Sequence, residues 1–181
     1  MVHFLKQRLP NAKLFVVGEQ SLEDELKTAA FTLTDDPNEI DAIIVSFDRT
    51  FDYRKLQISF DAIRNGARYF ASFADRYCPF PGGGEPDAAA MIAAIEACTN
   101  TTVEEVVGKP SMHMANTILS LVDAPPERCI MIGDRLETDV LMGLNAGMSG
   151  TLTLTGATSA ADLATADITP TNLKSKIVNQ K

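Results

Sequence analysis

Two aspartates and a lysine carry the chemistry visible in this sequence. The apolar run Cys129-Ile130-Met131-Ile132 ends at Gly133, Asp134 follows at once, and Asp139 comes five residues later. A glycine lets the chain turn sharply at a strand end. Two hard oxygen donors close together suit Mg²⁺, which takes one or two carboxylates and fills its shell with phosphate oxygens and water. The same acids also fit a helix N-terminus with no metal, because the helix dipole favours negative charge there. Upstream, Val106-Val107-Gly108-Lys109-Pro110-Ser111 puts Lys109 at a strand end. An ammonium there can hold a phosphoryl group or neutralise charge building on it. The plain alternative is a solvated lysine before a proline turn. Ligands of open α/β sheets bind beyond the carboxyl ends of the strands, so Lys109 and Asp134 on neighbouring strands would face one pocket.

A third candidate is the segment Asp75 to Pro86, whose Pro79-Phe80-Pro81-Gly82-Gly83-Gly84 core reads as a loop. Backbone N–H groups of glycine-rich loops can cradle phosphate, but the GxxxxGK[ST] pattern of a P-loop is absent. A linker and a substrate lid both remain open. His3 and His113 fall in helical or terminal contexts and read as structural. Cys129, inside an apolar run, reads as an inert core thiol.

The elements that must position these residues alternate along the chain. Lys13–Gly18, Asp41–Ser46 and Arg68–Ser72 are short apolar runs that predict buried strands. Between them, Ser21–Ala30 has a plausible cap at Ser21 with Asp24 in the capping-box position, and Phe51–Asn65 has helical spacing stopped by Gly66. Asp87 opens an Ala-rich helix. Val103–Val107, Arg128–Gly133, Gly150–Thr155 and Ala166–Pro170 predict further strands, with helices over Ser111–Val122 and Thr138–Asn145. Such alternation means βαβ units and a parallel sheet. The polar stretch Thr99–Thr102 places a domain boundary there, giving 1–102 and 103–181.

Composition narrows the function classes. The 181 residues carry 16 basic and 24 acidic side chains, a net charge of −8. A broad basic face for nucleic acid is therefore not expected, whereas a phosphorylated small molecule could still bind beside a local cation or metal. No apolar run is long enough to span a membrane. Met1–Pro10 lacks the apolar core of a secretory signal. Three widely spaced cysteines form neither a disulfide framework nor a CxxC pair, and with two histidines zinc is not expected. A cytoplasmic setting follows as the expectation.

Taken together, VVGKPS at 106–111, CIMIGDRLETDVLMGLNAGM at 129–148 and TLTLTG at 151–156 resemble the haloacid dehalogenase (HAD) superfamily. The similarity is to its subfamily IIA, the NagD-like and p-nitrophenyl-phosphatase-like enzymes. The segments FVVGEQSLEDELKTAAFTLTDD, DAIIVSFDRTFDYRKLQ and NGARYFASFADRYCPFPGGGEPDAAAMIAAIE resemble that subfamily's cap. The resemblance implies an α/β fold: a partial Rossmann-like HAD core with a parallel sheet over 103–181, preceded by an α/β cap over 1–102. It implies Mg²⁺-dependent hydrolysis of small phosphomonoesters through an aspartyl-phosphate. Carried onto matching positions, it makes Lys109 the phosphate-contacting lysine, Asp134 a Mg²⁺ ligand, and Asp139 a supporting carboxylate for the lysine or the metal's water. Asp75 is its candidate substrate contact in the cap, preceded by Phe73-Ala74 where many relatives carry Asn-Pro.

The family's nucleophile motif, Asp-x-Asp-Gly, does not occur in the sequence. The chain resembles a family member from the cap onward, so the expectation is a truncated or split phosphatase, an inactive binding or interaction module, or a non-functional fragment. Sugar phosphates, phosphoglycolate and nucleotides are open as substrates, with sugar phosphates favoured. The expected partners are a small phosphorylated metabolite and either a second copy of the chain or a segment supplying the missing strands. Without those strands, Cys129–Ile132 would leave an apolar sheet edge open to pairing.

Overall fold

In the computed structural model residues 1–174 are described, and the chain divides into two compact units, Met1–Gly108 and Lys109–Lys181. In chain order the first unit runs α1 (Val2–Arg8), β1 (Lys13–Val17), α2 (Gln20–Thr28), β2 (Thr32–Leu33), β3 (Ala42–Val45), α3 (Tyr53–Arg64), β4 (Arg68–Ala71), β5 (Tyr77–Phe80), β6 (Gly83–Pro86), α4 (Ala88–Thr99) and β7 (Glu105–Val106). Five strands form a parallel sheet in the order β2-β1-β3-β4-β7. The sheet is mixed α/β in character, as the alternation predicts. All four residues of β3 are buried, because helices cover both faces of a parallel sheet. One face packs Ile43, Val45 and Tyr69 with Ile92 and Ile95 of α4. The other packs Leu14, Val16 and Phe70 with Phe4, Leu5 and Leu26 from α1 and α2.

Several local readings change. Helix α1 has no signature in the sequence; it forms because Phe4 and Leu5 are buried, with the Phe4 ring edge-on to Phe70 at 5.2 Å. The expected cap at Ser21 is not made. Helix α2 starts at Gln20 with Glu19 as its cap residue, and the Glu19 carboxylate instead takes Arg49 Nε and Nη2 at 2.6 and 2.9 Å. Asp87 opens α4 as expected, accepting from Ala88 N–H, and α3 begins at Asp52, which accepts from Lys55 N–H. The glycine-rich segment is a hairpin, not a loop: β5 and β6 pair antiparallel, with Phe80 opposite Gly83 and Tyr77 opposite Pro86. A Cβ on Gly83 would meet the Phe80 ring at 3.2 Å, and one on Gly84 would meet the Tyr77 ring at 3.0 Å. The glycines sit in a strand because aromatic rings lie over them. Strand β7 pairs with Phe70 and Ala71 of β4, so the first unit runs past Thr99–Thr102 to Gly108.

The second unit runs α5 (Met112–Val122), a 3₁₀ turn at Pro126–Arg128, β8 (Ile130–Gly133), a π turn at Leu136–Val140, α6 (Leu141–Asn145), β9 (Ser149–Thr153), α7 (Ala160–Thr165) and β10 (Asn172–Lys174). Its three strands are parallel, in the order β10-β9-β8. Ser111 caps α5, accepting from Met114 N–H. Ala115, Met142, Ala146 and Met148 form one small core and Leu136, Val140 and Leu152 another. The strand expected over Ala166–Pro170 is absent. Ala166 and Ile168 pack against the second core from an irregular segment, and pairing with Thr151–Thr153 is made by β10. The helix expected from Thr138 begins earlier, as the π turn. Cys129 lies just before β8, half-buried, its thiol 3.5 Å from the Pro125 carbonyl. Among the described residues no helix is long and apolar enough to cross a membrane.

Candidate functional site

The second unit brings Lys109, Asp134 and Asp139 to the carboxyl end of β8. Strand β8 ends at Gly133, and the π turn that follows folds Asp139 back over it. Both the Asp139 and the Val140 N–H groups reach the Arg135 carbonyl, at 3.1 and 3.2 Å, the widened turn of a π geometry. Leu136 and Val140, fully buried, anchor the turn against Leu152. Gly133 is required by this packing, since a Cβ there would lie 2.2 Å from both Cβ and Cγ of Asp139.

Asp139 is nearly fully buried, its side chain 6 % exposed, while that of Lys109 is 38 % exposed. Lys109 Nζ donates to Asp139 Oδ1 at 2.6 Å, and the Arg135 N–H donates to Asp139 Oδ2 at 3.2 Å. Both carboxylate oxygens are thus engaged, and Asp139 serves to aim and hold the ammonium. The pair leans on Gly133, which places the backbone of Asp134 one residue away.

Asp134 faces the loop after β9. Its Oδ2 accepts from Ala157 N–H at 2.7 Å, and its carbonyl accepts from Thr158 N–H at 3.0 Å. A Cβ on Gly156 would stand 1.9 Å from Asp134 Oδ2. Thr153 ties the two strand ends together, its hydroxyl donating to the Gly133 carbonyl at 3.3 Å. The structure therefore joins Lys109 to Asp139 directly, and Asp134 to the 156–158 loop. Sequence reasoning missed the loop's role, although a glycine straight after Thr151-Leu152-Thr153-Leu154-Thr155 was the available signal. Asp75 belongs to the first unit, between β4 and β5, where its carbonyl accepts from Ala89 N–H at 3.1 Å.

Among the described residues no group of three or more His, Cys, Asp or Glu could hold a metal by itself. Asp134 can offer its Oδ1, since Ala157 occupies only Oδ2. One carboxylate oxygen with phosphate and water is within the habits of Mg²⁺. Asp139 is a poor ligand, both its oxygens being committed. The donor set fits a Mg²⁺ ion that shares its shell with substrate, and not one caged by this chain.

The HAD-hydrolase-like family model matches residues 106–178. The Sugar-phosphatase AraL of Bacillus subtilis is 39% identical over 154 residues, 85% of this chain and 57% of its own. The crystal structure of the 4-nitrophenylphosphatase of Thermotoga maritima has a TM-score of 0.90 at 32% identity, covering 96% of this chain and 66% of that one. A mutant of the thermostable p-nitrophenylphosphatase from Bacillus stearothermophilus has a TM-score of 0.78 at 31% identity, covering 96% and 67%. The chain belongs to the haloacid dehalogenase superfamily, in its NagD-like and p-nitrophenyl-phosphatase-like branch. It spans less than two thirds of the length of the curated relatives it matches.

Proposed function

We propose that this chain supplies the phosphate-gripping part of a Mg²⁺-dependent phosphohydrolase acting on small phosphomonoesters, with sugar phosphates foremost. The observation that carries this reading is the Lys109–Asp139 pair, 2.6 Å long and seated on Gly133 beside Asp134. The name of the Bacillus subtilis relative, a sugar phosphatase, supports the substrate class. Phosphoryl transfer needs mainly positioning and neutralisation of the charge on the equatorial oxygens. Lys109 donates to one such oxygen, and its direction is set by Asp139, which is itself fixed by the Arg135 N–H. Asp139 is a positioning residue and moves no proton. Asp134 would hold Mg²⁺, which when bound supplies further neutralisation at the phosphate.

The displacement itself needs a nucleophile, and Asp-x-Asp-Gly is absent from the sequence. A second reading is a phosphate-binding module without turnover. Calorimetry with inorganic phosphate and Mg²⁺ tests what the two readings share. Lys109→Met should weaken binding by about tenfold or more, the value of one charge-assisted hydrogen bond. Turnover of p-nitrophenyl phosphate separates them: robust Lys109-dependent hydrolysis supports the enzyme, and binding without hydrolysis supports the module. If phosphate does not bind, or binds equally well to the Lys109 variant, both readings fail.

A further inference from the structure

We propose that the first unit carries a ligand site of its own, a cleft past the end of β2 that takes a small hydroxylated oxyanion. The cleft has a volume of about 340 Å³, with walls from β1, α2, the segment after β2 and the start of α3. All of these belong to the first unit. The floor is the backbone of β1. Strand β2 has only two residues, and its register with β1 ends at Leu14 opposite Leu33. One bond follows, from Thr34 N–H to the Leu14 carbonyl at 3.0 Å. Backbone groups alternate sides along a strand, and the Lys13 and Val17 carbonyls accept from Asp41 and Ser46 N–H on the β3 side. Val16 therefore turns its N–H and C=O towards β2, past the point where β2 has ended. Val16 is 4% exposed, so a donor and an acceptor stand together at the foot of the cleft. Buried backbone groups are almost always paired, and no residue of β2 stands opposite these two.

Lys55 supplies a fixed charge on the cleft wall. Its Nζ donates to Asp48 Oδ2 at 2.6 Å and to Thr50 Oγ1 at 2.9 Å. An ammonium has three donors, so one remains for the cleft. The Asp48 side chain is fully buried and that of Lys55 is 20% exposed. Asp48 Oδ1 is taken by the Thr50 N–H and hydroxyl, at 2.8 and 2.7 Å. This carboxylate is consumed in aiming a lysine, just as Asp139 aims Lys109. Burying such a pair costs desolvation that an apolar pair would avoid, and what it secures is a cation held in one place. Nearby, Arg54 pairs with Asp35, and Lys27 with Glu23 at 2.9 Å, both at the surface. Exposed pairs contribute little to stability, so Arg54 and Lys27 can turn to a ligand. Three cations against two acids leave the cleft mouth positive. An anionic group fits against Lys55 and Arg54. A hydroxyl on the same molecule satisfies both Val16 groups, accepting from the N–H and donating to the C=O. Phosphate and carboxylate share this chemistry.

The full chain, isotope-labelled, is titrated with glycerol 3-phosphate and with glycerate while its amide resonances are followed by NMR. The expected result is a saturable shift of the Val16 N–H in the millimolar range or below. A response to glycerol 3-phosphate alone supports the proposal with phosphate as the anion, and a response to glycerate alone supports it with carboxylate. Ethyl phosphate and propionate, which lack the hydroxyl, should bind several-fold more weakly. Lys55→Met should weaken binding by about tenfold or more, the value of one charge-assisted hydrogen bond. Because that change strands the Asp48 carboxylate, Arg54→Gln, at an exposed position, is the second variant and should weaken binding several-fold in a folded chain. No saturable shift at Val16 with either compound overturns the proposal. So does a shift that survives both variants, or equal affinity for the compounds without a hydroxyl. Lys109→Met should leave the Val16 titration unchanged; its loss there would place the anion in the second unit and overturn the proposal too. The Val16 resonance reports on this cleft and not on turnover, so the assignment of Lys109 can fail or stand separately.

Discussion

Lys109→Met and Asp139→Asn remove the same ion pair, and the structure predicts that their effects on stability are unequal. Lys109 is 38% exposed and Asp139 only 6%. Replacing Lys109 strands a buried carboxylate with a single backbone N–H, that of Arg135, to compensate it. Breaking a fully buried pair from one side costs about 3–5 kcal/mol. The exposure of Lys109 means water already screens part of the interaction, which lowers the expectation to about 2–3 kcal/mol. Asp139→Asn leaves an ammonium that can rehydrate and an amide oxygen that can still accept, so it should cost about 1 kcal/mol. The double variant should be more stable than Lys109→Met alone, because no buried charge is left unpaired. The assay must see the second unit. All three tyrosines and all nine phenylalanines lie at or before Phe80, and there is no tryptophan, so aromatic signals report only the first unit. Hydrogen exchange across residues 130–153 under increasing urea reads the right region. Asp139→Asn costing as much as Lys109→Met, or strictly additive effects in the double variant, would refute the stranded-carboxylate reasoning.

Three further outcomes follow from named contacts. Gly156→Ala puts a methyl 1.9 Å from Asp134 Oδ2; it should destabilise the second unit by about 1–3 kcal/mol and weaken Mg²⁺ association measured by calorimetry, whereas Gly147→Ala, away from the carboxylates, should leave metal association unchanged. Burial raises the Tyr69 phenol well above its ordinary value of 10.0, so the stability it contributes is complete below pH 10.0 and falls as pH rises towards the raised value; Tyr69→Phe should flatten that alkaline loss in thermal melts. The Arg68 guanidinium, hydrogen-bonded to Glu104, holds that carboxyl below its ordinary value of 4.5. Its contribution is present above pH 4.5 and lost as pH drops through the lowered value, so Glu104→Gln should weaken the acid-side pH dependence of the first unit.

The sequence was most legible where one kind of local force decides the outcome. Strands β1, β3 and β4 are short apolar runs, too brief for a helix and rich in β-branched and aromatic residues. Helices α3, α4 and α5 begin at side chains that accept from their own first turn, Asp52, Asp87 and Ser111. The reading failed where a distant partner overrides a local preference. Glu19 displaces Ser21 as the cap residue of α2 while its carboxylate answers to Arg49, thirty residues away. The glycines of β6 become a strand because Tyr77 and Phe80 cover them from β5. Helix α1 exists through Phe70 and its neighbours, which no window of ten residues contains.

The candidate site shows the same division at the scale of single atoms. Spacing puts Asp134 and Asp139 within a few residues of one strand end, but it does not say which of them meets the lysine. An ordinary helix starting at Thr138 would leave that choice open. The π turn decides it. With Asp139 and Val140 N–H groups both reaching the Arg135 carbonyl, the wider turn drops Asp139 onto Gly133. Only a residue without a Cβ allows that approach, because the missing atom would overlap the carboxyl carbon. Gly156 makes the matching concession to Asp134 from the next strand end. The two carboxylates are therefore separated in role by two absent side chains: one faces a lysine and is fully engaged, the other faces backbone N–H and keeps an oxygen free. A sequence shows the glycines and the acids together. The assignment of each acid to its glycine requires the turn geometry, which arises from Leu136 and Val140 burying against Leu152.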